Sequence, residues 1–399
     1  MLLGEAPPTA GLPPRLSDLL GGGRHGAFQE RIAEFIGAPS VVLTSTGTAA
    51  LVLALDYLKQ RSGRRRVIVP AYTCPLVVLA AAHVGLEVAV CDTIPSGLDL
   101  DLDHLGRLIG SETLAVIATQ YGGALTDVAG LRAFVRTLSP DIAIIEDAAQ
   151  GFGARSLGAS VGLAGDIGMF SFGAGKGFTI FQGGCLASSS AGTMDGLLRL
   201  SKQRAAPVSL PELWLSAQLI GYHVLYNPIG LRLVYGMPRR HWLRKGDEIA
   251  AVGDLFPDDI ELHEVGRWRQ NVGRRALPLL PAHLRATRAR FIQLADRFSA
   301  VPGVTVLTPG PEAEPTCLFL FVTLPTAERC RQALERLWRS RLGVTKLFAH
   351  AIGDYAYLSD KLIPGETPNA RDFAARTLTV TTSPWLGERE IESIVAGLR

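Results

Sequence analysis

Six short apolar segments between residues 41 and 172, separated by longer helix-like stretches, restrict most strongly how this chain can fold. They are VVLT at 41–44, VIVP at 67–70, VAVC at 88–91, LAVIAT at 114–119, IAIIE at 142–146 and GMFSF at 168–172. Each is mainly apolar rather than alternating, as expected of strands that helices cover on both faces of a parallel sheet. The stretches TAALVLALDYLKQ and PLVVLAAAHVG are typical of crossover helices. The sequence therefore predicts a large α/β domain.

The second half of the chain has a different pattern. From about residue 259 an Arg-rich helical segment leads into VTVL, CLFLFVTL and LTVTTS, which are separated by the helix-like RCRQALERLWRS. This mixture predicts a smaller α+β domain. We expect a large domain over residues 1–257, with an apolar insertion near 208–245, and a small domain over 258–399.

Charge and cysteine content exclude several classes of protein. The 399 residues include 40 Lys and Arg against 37 Asp and Glu, a net charge of +3, which is too balanced for a dedicated nucleic-acid-binding protein. The five cysteines are scattered and form no C-x-x-C pair, so we expect neither a disulfide framework nor a metal site. The N-terminal sequence lacks a basic segment followed by an apolar run, and we expect a cytoplasmic protein.

Two polar segments mark the carboxyl ends of predicted strands. Gly47, Thr48 and Ala49 lie between a strand and a helix, where free backbone N–H groups can bind a phosphate, although such residues are also common as ordinary helix caps. Asp147, followed closely by Gln150, ends another strand, where an acid more often caps or forms a salt bridge than acts in a site. Neither segment is specific alone.

Two further segments have the same placement. Lys176 follows the strand that contains Ser171, is flanked by glycines and precedes the apolar FTIF, and desolvation there would favour an amine able to form a Schiff base. Tyr72 and Cys74 follow the strand VIVP and could supply a ring or a thiol over a flat ligand, or simply pack before a helix.

Together the four segments predict one pocket, because the carboxyl ends of parallel strands meet at one edge of a sheet. An acid for a pyridinium nitrogen, hydroxyl and amide groups for a phosphate, and a lysine for an aldehyde are the groups that bind pyridoxal 5′-phosphate (PLP). The combination is much more specific than any of its parts.

The order and spacing of STGTAAL, VPAYT, EDAAQ, GDIGMFSFGAGK and QGG resemble those of the DegT/StrS-type aminotransferases. The resemblance covers nearly the whole chain and implies PLP fold type I, with a mainly parallel, seven-stranded-type sheet. It implies that Lys176 binds the cofactor aldehyde, that Asp147 pairs with the ring nitrogen and that Gln150 lies near the ring. It also implies that Ser171 holds the phosphate together with Gly47, Thr48 and Ala49.

The same resemblance carries expectations about the reaction. It implies transfer of an amino group, from glutamate, to the keto group of a nucleotide-linked sugar or related small molecule, by a homodimer. A PLP-dependent dehydratase is an alternative, but the sugar dehydratases of this family have histidine where this chain has Lys176. Amination of a non-sugar or lipid-linked ketone, and a non-catalytic regulatory role, are further alternatives.

Cys74 departs from the family pattern. The residue at this position is typically an aromatic that stacks on the cofactor, so either the Cys74 thiol replaces the ring or Tyr72 reaches over the cofactor instead.

The family pattern does not explain residues 208–245. Residues 213–231 contain no charged side chain apart from His223, but Pro228 and two glycines interrupt them, and the stretch is short for a membrane span of roughly 20 residues. One interpretation is a helical pair buried against the core or a partner subunit. The other is a peripheral membrane anchor, because the basic and aromatic RRHWLRK follows at 239–245.

Overall fold

A seven-stranded, mainly parallel sheet lies at the centre of the computed structural model, which describes residues 4–22, 24, 26–208 and 210–399. The strands of the first half of the chain are β1 Val41–Thr44, β2 Arg66–Pro70, β3 Glu87–Cys91, β4 Thr113–Thr119, β5 Ala143–Asp147, β6 Arg155–Ser156, β7 Ala159–Ser160, β8 Ile167–Ser171 and β9 Gly184–Ala187. The central order is β1-β9-β8-β5-β4-β2-β3, in which β9 is antiparallel to both of its neighbours. All six predicted strands are present to within one residue.

Helices cover both faces of this sheet. They are α1 Leu16–Leu19, α2 Ala27–Ile36, α3 Gly47–Arg61, α4 Pro75–His83, α5 Leu102–Leu108, α6 Val128–Leu138 and α7 Ala191–Arg204. The Thr46 side chain accepts a hydrogen bond from the Ala49 N–H at the start of α3, and Pro75 occupies the first turn of α4, where a missing N–H costs nothing. The strands are buried on both sides, which explains why they lack polar alternation.

The apolar segment near 208–245 forms a chain of helices. These are α8 Leu210–Leu225, α9 Pro228–Leu231, a π-helical turn Arg232–Gly236, α10 Met237–Arg244 and, beyond the segment, α11 Glu248–Val252. Ser209 lies outside the described residues. Among the described helices, none combines the length and the apolar character that crossing a bilayer requires.

The rest of the chain contains a second, smaller sheet together with helices. Its elements are α12 Arg267–Ala276, α13 Leu280–Ser299, β10 Thr305–Val306, β11 Ala313–Glu314, β12 Phe319–Thr323, α14 Ala327–Leu337, β13 Val344–Thr345, α15 Pro368–Arg376, β14 Thr377–Thr381 and α16 Glu388–Leu398, with short 3₁₀ turns at 277–279, 352–354 and 356–361. Four of these strands pair antiparallel in the order β10-β12-β14-β13, and β11 pairs with β6, which pairs with β7. The boundary expected at residue 257 stays a prediction.

The N-terminal segment joins the insertion to this smaller sheet. The carboxylate of Glu5 is fully buried and accepts hydrogen bonds from Arg239 at 2.8 Å and Arg240 at 2.7 Å. Arg239 also donates to the carbonyl of Ser340, and the Ala6 N–H donates to the carbonyl of Arg341. A buried guanidinium needs such a full set of partners, because an unpaired charge in the interior is strongly unfavourable.

Replacing Glu5 by Ala should therefore lower the free energy of unfolding by about 3 kcal/mol, since it leaves the buried Arg239 without its carboxylate. Glu366→Ala is the matched control, because Glu366 pairs with Arg371 at the surface and should leave stability almost unchanged. Urea unfolding of both variants measures the difference. Equal stability of the two variants would contradict this role of Glu5.

Candidate cofactor site

A cavity of about 640 Å³ opens at the carboxyl ends of the central strands. Six of the predicted site residues line it: Gly47, Thr48, Cys74, Asp147, Ser171 and Lys176. Asp147 and Ser171 end β5 and β8, and the others lie in the loops or helix starts that follow β1, β2 and β8. The topology therefore brings together residues that are up to 129 positions apart in the sequence, from Gly47 to Lys176.

The first turn of α3 forms one wall. The first N–H groups of a helix have no partner inside the helix, and they carry partial positive charge. Gly47 lets this turn pack directly on β8, because a Cβ at Gly47 would lie only 2.7 Å from the Cβ of Ser171. The Ser171 hydroxyl and the amides of Gly47 and Thr48 thus share one small region of the cavity, which suits an anion such as a phosphate.

Asp147 ends β5 and is 3% exposed. Its Oδ1 accepts a hydrogen bond from the Ala149 N–H at 3.1 Å. Burial raises the pKa of Asp147 to about 6, and the hydrogen bond from Ala149 and the nearby Lys176 ammonium oppose this rise only in part. The position therefore disfavours a bare carboxylate and would be relieved by a cationic N–H from a ligand.

Lys176 lies half-buried in the cavity wall between Gly175 and Gly177. Both glycines have left-handed backbone conformations, with φ of 85° and 81°, which other residues adopt only with strain. Within the part of the chain that the structure describes, the Lys176 ammonium makes no hydrogen bond or ion pair. Its charge partly opposes the burial that raises the pKa of Cys74, Asp147 and Asp254, which places it near all three.

Cys74 is the residue before α4 and lines the cavity. Burial raises the pKa of its thiol to about 12, and the nearby Lys176 only partly offsets the effect. The sulfur is therefore a neutral thiol near neutral pH rather than a nucleophilic thiolate. It presents a soft, apolar surface where the sequence comparison leads one to expect an aromatic ring.

Three other predicted residues do not line the cavity. Tyr72 is 1% exposed and packs its ring against Tyr121, Phe348 and Phe373 in the core. The Tyr72 ring thus lies in the core, and the alternative that it covers the cofactor stays a prediction.

Ala49 and Gln150 lie behind the wall. The Ala49 N–H already donates to the Thr46 side chain, and the Gln150 Oε1 accepts a hydrogen bond from the Gly122 N–H at 2.9 Å. The backbone carbonyl of Gln150 also accepts a hydrogen bond from Thr316. In this arrangement Ala49 and Gln150 support the wall rather than form it.

A segment that the sequence did not indicate closes the cavity on another side. Phe256, Asp259, Glu261 and His263 line it, and Ser45 fixes this segment through hydrogen bonds with the Glu261 carbonyl and the His263 N–H. The segment belongs to no strand, so no strand-end pattern could have pointed to it.

Buried Asp254 fixes the start of this segment. It accepts hydrogen bonds from the Ala349 N–H and the Tyr355 hydroxyl. This anchoring explains how an irregular stretch holds two carboxylates and an imidazole at the cavity wall.

Residues 17–221 match the model of the DegT/DnrJ/EryC1/StrS aminotransferase family, just over half of the chain. The chain belongs to this family. The match includes every predicted site residue and ends within α8.

Three curated relatives match less than half of this chain each. MosB of Rhizobium meliloti is 34% identical over 162 residues, 41% of this chain and 31% of MosB. GDP-perosamine synthase of Vibrio cholerae is 31% identical over 176 residues, 44% of this chain and 47% of that protein. GDP-4-keto-6-deoxy-D-mannose 3-dehydratase of Yersinia pseudotuberculosis is 30% identical over 164 residues, 40% of this chain and 41% of that protein. The chain thus spans less than half the length of each of these three.

Solved structures confirm the expected fold over nearly the whole chain. The sugar aminotransferase CalS13 of Micromonospora echinospora superimposes with a TM-score of 0.74 at 20% identity, over 98% of this chain and 99% of that one. Spr1654 of Streptococcus pneumoniae in its PLP form gives 0.73 at 16% identity, over 99% and 97%. The family and this PLP form indicate PLP as the cofactor.

The residues present fit PLP. Lys176 lines the cavity and offers its amine to the aldehyde, and Asp147 offers a buried carboxylate to the ring nitrogen. Gly47, Thr48 and Ser171 offer amide and hydroxyl donors for the phosphate. Neutral Cys74 offers an apolar surface for a flat ring.

Asp147→Asn should stabilise the cofactor-free protein above pH 6. Because the pKa of Asp147 is about 6 in the folded chain against an ordinary 3.8, protonation favours the fold, and stability falls as the pH rises from 3.8 to 6. One pKa unit corresponds to about 1.4 kcal/mol, so the ionised carboxylate costs up to about 3 kcal/mol above pH 6. The neutral amide avoids this cost.

Urea unfolding of cofactor-free wild type and Asp147→Asn, above pH 6 and below pH 3.8, tests this expectation. The variant should be the more stable protein above pH 6, and the difference should shrink below 3.8, where both side chains are neutral. A less stable variant above pH 6 would show that the carboxylate is not under a burial penalty.

Proposed function

We propose that this protein is a PLP-dependent aminotransferase that transfers an amino group from glutamate to a keto group of a nucleotide-linked sugar or related small molecule. The observation that carries the proposal is that one cavity holds both the Lys176 amine, which makes no hydrogen bond or ion pair among the described residues, and the buried Asp147 carboxylate. An amine for the cofactor aldehyde and an acid for its ring nitrogen are the two groups that this chemistry needs from the protein.

Each residue then has a definite role. The conjugated ring of bound PLP supplies an electron sink for the charge left when a carbon loses its proton. Asp147 would pair with the ring nitrogen and keep it protonated through an opposite-charge contact. Lys176 would hold the aldehyde and, when released from it, would remove the proton from the donor carbon as general base and return one as general acid.

The remaining walls support an acceptor rich in hydroxyl groups. Asp259, Glu261 and His263 line the cavity from the segment that Ser45 and Asp254 hold in place. Carboxylate oxygens accept hydrogen bonds from hydroxyls, and Asp259 and Glu261 bring carboxylates to this wall of the cavity. GDP-perosamine synthase, among the relatives, is consistent with a nucleotide-linked acceptor.

A dehydratase is the second candidate, because one relative carries that name. The dehydratases that this family contains have histidine where Lys176 stands, and Lys176 supports amino transfer instead. Amination of a non-sugar or lipid-linked ketone uses the same residues and differs only in the acceptor.

We propose further that the protein acts as a homodimer in the cytoplasm. Cyclic dimers are the commonest closed assembly of soluble proteins, and the pockets of the resembled family are completed across a two-fold axis. Among the described residues that line the cavity, Lys176 is the one Lys or Arg, so a second subunit could add charge for the phosphate.

Lys176→Ala should abolish the reaction with the amino donor. Glutamate added to wild-type protein loaded with PLP should convert its visible absorption band within the reaction time, whereas the variant should be at least about a hundredfold slower, since it lacks the group that moves the proton. Stopped-flow absorbance with glutamate, glutamine and aspartate in turn measures the rates and identifies the donor.

Lys202→Ala is the matched control, because Lys202 lies exposed in the last turn of α7 and should react at the wild-type rate. Equal loss in both variants would contradict the role of Lys176. Dehydration of a keto sugar by the wild type without consumption of any amino donor would favour the dehydratase.

A further inference from the structure

Helices α8 to α10 present a set of exposed apolar side chains to solvent, which we call the apolar face. Its exposed side chains are Leu213, Trp214, Ile220, Val224, Ile229, Leu233, Val234, Met237 and Trp242. Leu213 is 69% exposed, Trp214 66% and Ile229 66%. Contiguous apolar surface of this kind on a soluble protein marks a site of interaction with another molecule.

The opposite side of the same helices is fixed to the protein. Leu215 and Leu219 are buried, and the Tyr226 hydroxyl accepts a hydrogen bond from the Gly11 N–H. Glu212 forms a buried ion pair with Arg269. The first interpretation, burial against the core, therefore describes the inward side of these helices only. Because that side is already fixed, the apolar face stays exposed on the protein.

The charged side chains of residues 213–246 are all basic. Residues 213–246 contain no Asp or Glu. Arg244 and Lys245 are exposed at the end of α10, and the Lys245 ammonium lies 4.9 Å from the centre of the Trp242 ring. Exposed tryptophans on α8 and α10, with cations beside the one on α10, are the composition of a helix that lies in the interface of a membrane.

We propose that the apolar face docks on an anionic lipid bilayer, with α8 and α10 lying in the plane of the interface on either side of the break at Asn227 and Pro228. Apolar side chains enter the boundary between headgroups and acyl chains, and Arg244 and Lys245 contact the anionic headgroups. A two-fold contact between copies is less favourable, because it would bring this surface, which has cations and no acids, against itself.

Co-sedimentation with vesicles tests the docking. Wild-type protein should bind vesicles of phosphatidylcholine and phosphatidylglycerol at low salt and more weakly at high salt, because salt screens the headgroup contacts but not the apolar ones. Leu213→Ser with Val224→Ser should weaken binding by at least about tenfold. Arg244→Ala with Lys245→Ala should weaken binding to the anionic vesicles and leave the weak binding to pure phosphatidylcholine unchanged.

Two controls make the result specific. Ile292→Ser removes an equally exposed aliphatic side chain, 63% exposed on α13, and should not change binding. Trp214→Phe should still bind vesicles. Brominated acyl chains should quench a smaller fraction of its fluorescence than of the wild-type fluorescence, since Trp214 is the tryptophan of α8. PLP loading, read from the absorption spectrum, confirms that every variant is folded.

Three outcomes would overturn the proposal. The first is no binding of folded wild-type protein to anionic vesicles at low salt. The second is equal weakening by Ile292→Ser. The third is a Leu213→Ser, Val224→Ser protein that keeps wild-type vesicle binding but changes from dimer to monomer in sedimentation velocity, which would make the apolar face an interface between copies of this chain.

Discussion

The buried guanidinium of Arg269 joins the parts of this molecule on which its function depends. Its Nε and Nη2 donate to the two carboxylate oxygens of Glu212, at 2.6 and 2.5 Å, and its Nη1 donates to the carbonyls of Ile180 and Gln182. One side chain on α12 thus holds both α8 and the loop that runs from Lys176 to β9. That loop lines the cofactor cavity, and α8 carries the apolar face. Both are therefore held by the same buried guanidinium, which must stay fully paired.

Asp147 illustrates how a group that favours a cationic ligand can lower the stability of the cofactor-free protein. Burial raises its pKa to about 6 although the Lys176 charge and the Ala149 N–H oppose the rise. A cationic ring nitrogen would supply an opposite charge for the carboxylate. The free energy that burial of the carboxylate costs the cofactor-free protein would then be recovered when the cofactor binds. Cys74 contributes differently: its neutral thiol covers apolar ligand surface without offering a reactive anion.

The sequence predicted the strands and the centre of the site because both depend on local pattern. Apolar strands between amphipathic or apolar helices allow few topologies, and the carboxyl ends of parallel strands meet at one edge, so Asp147, Ser171 and Lys176 had to converge. Tyr72 and Gln150 follow the same rule, but Tyr72 packs its ring on Tyr121, Phe348 and Phe373, and Gln150 is held by hydrogen bonds with Gly122 and Thr316. The segment with Asp259, Glu261 and His263 has no strand pattern, and composition alone cannot tell which side of α8 faces water.

We propose that Lys176 is the residue that binds the PLP aldehyde. Borohydride reduction of the loaded protein, followed by proteolysis and mass spectrometry of the peptides, tests this role directly. We expect one modified peptide, with the reduced cofactor on Lys176. Modification of Lys59, Lys202, Lys245, Lys346 or Lys361 in its place, or of no lysine in protein that retains the cofactor spectrum, would show that Lys176 does not bind the aldehyde.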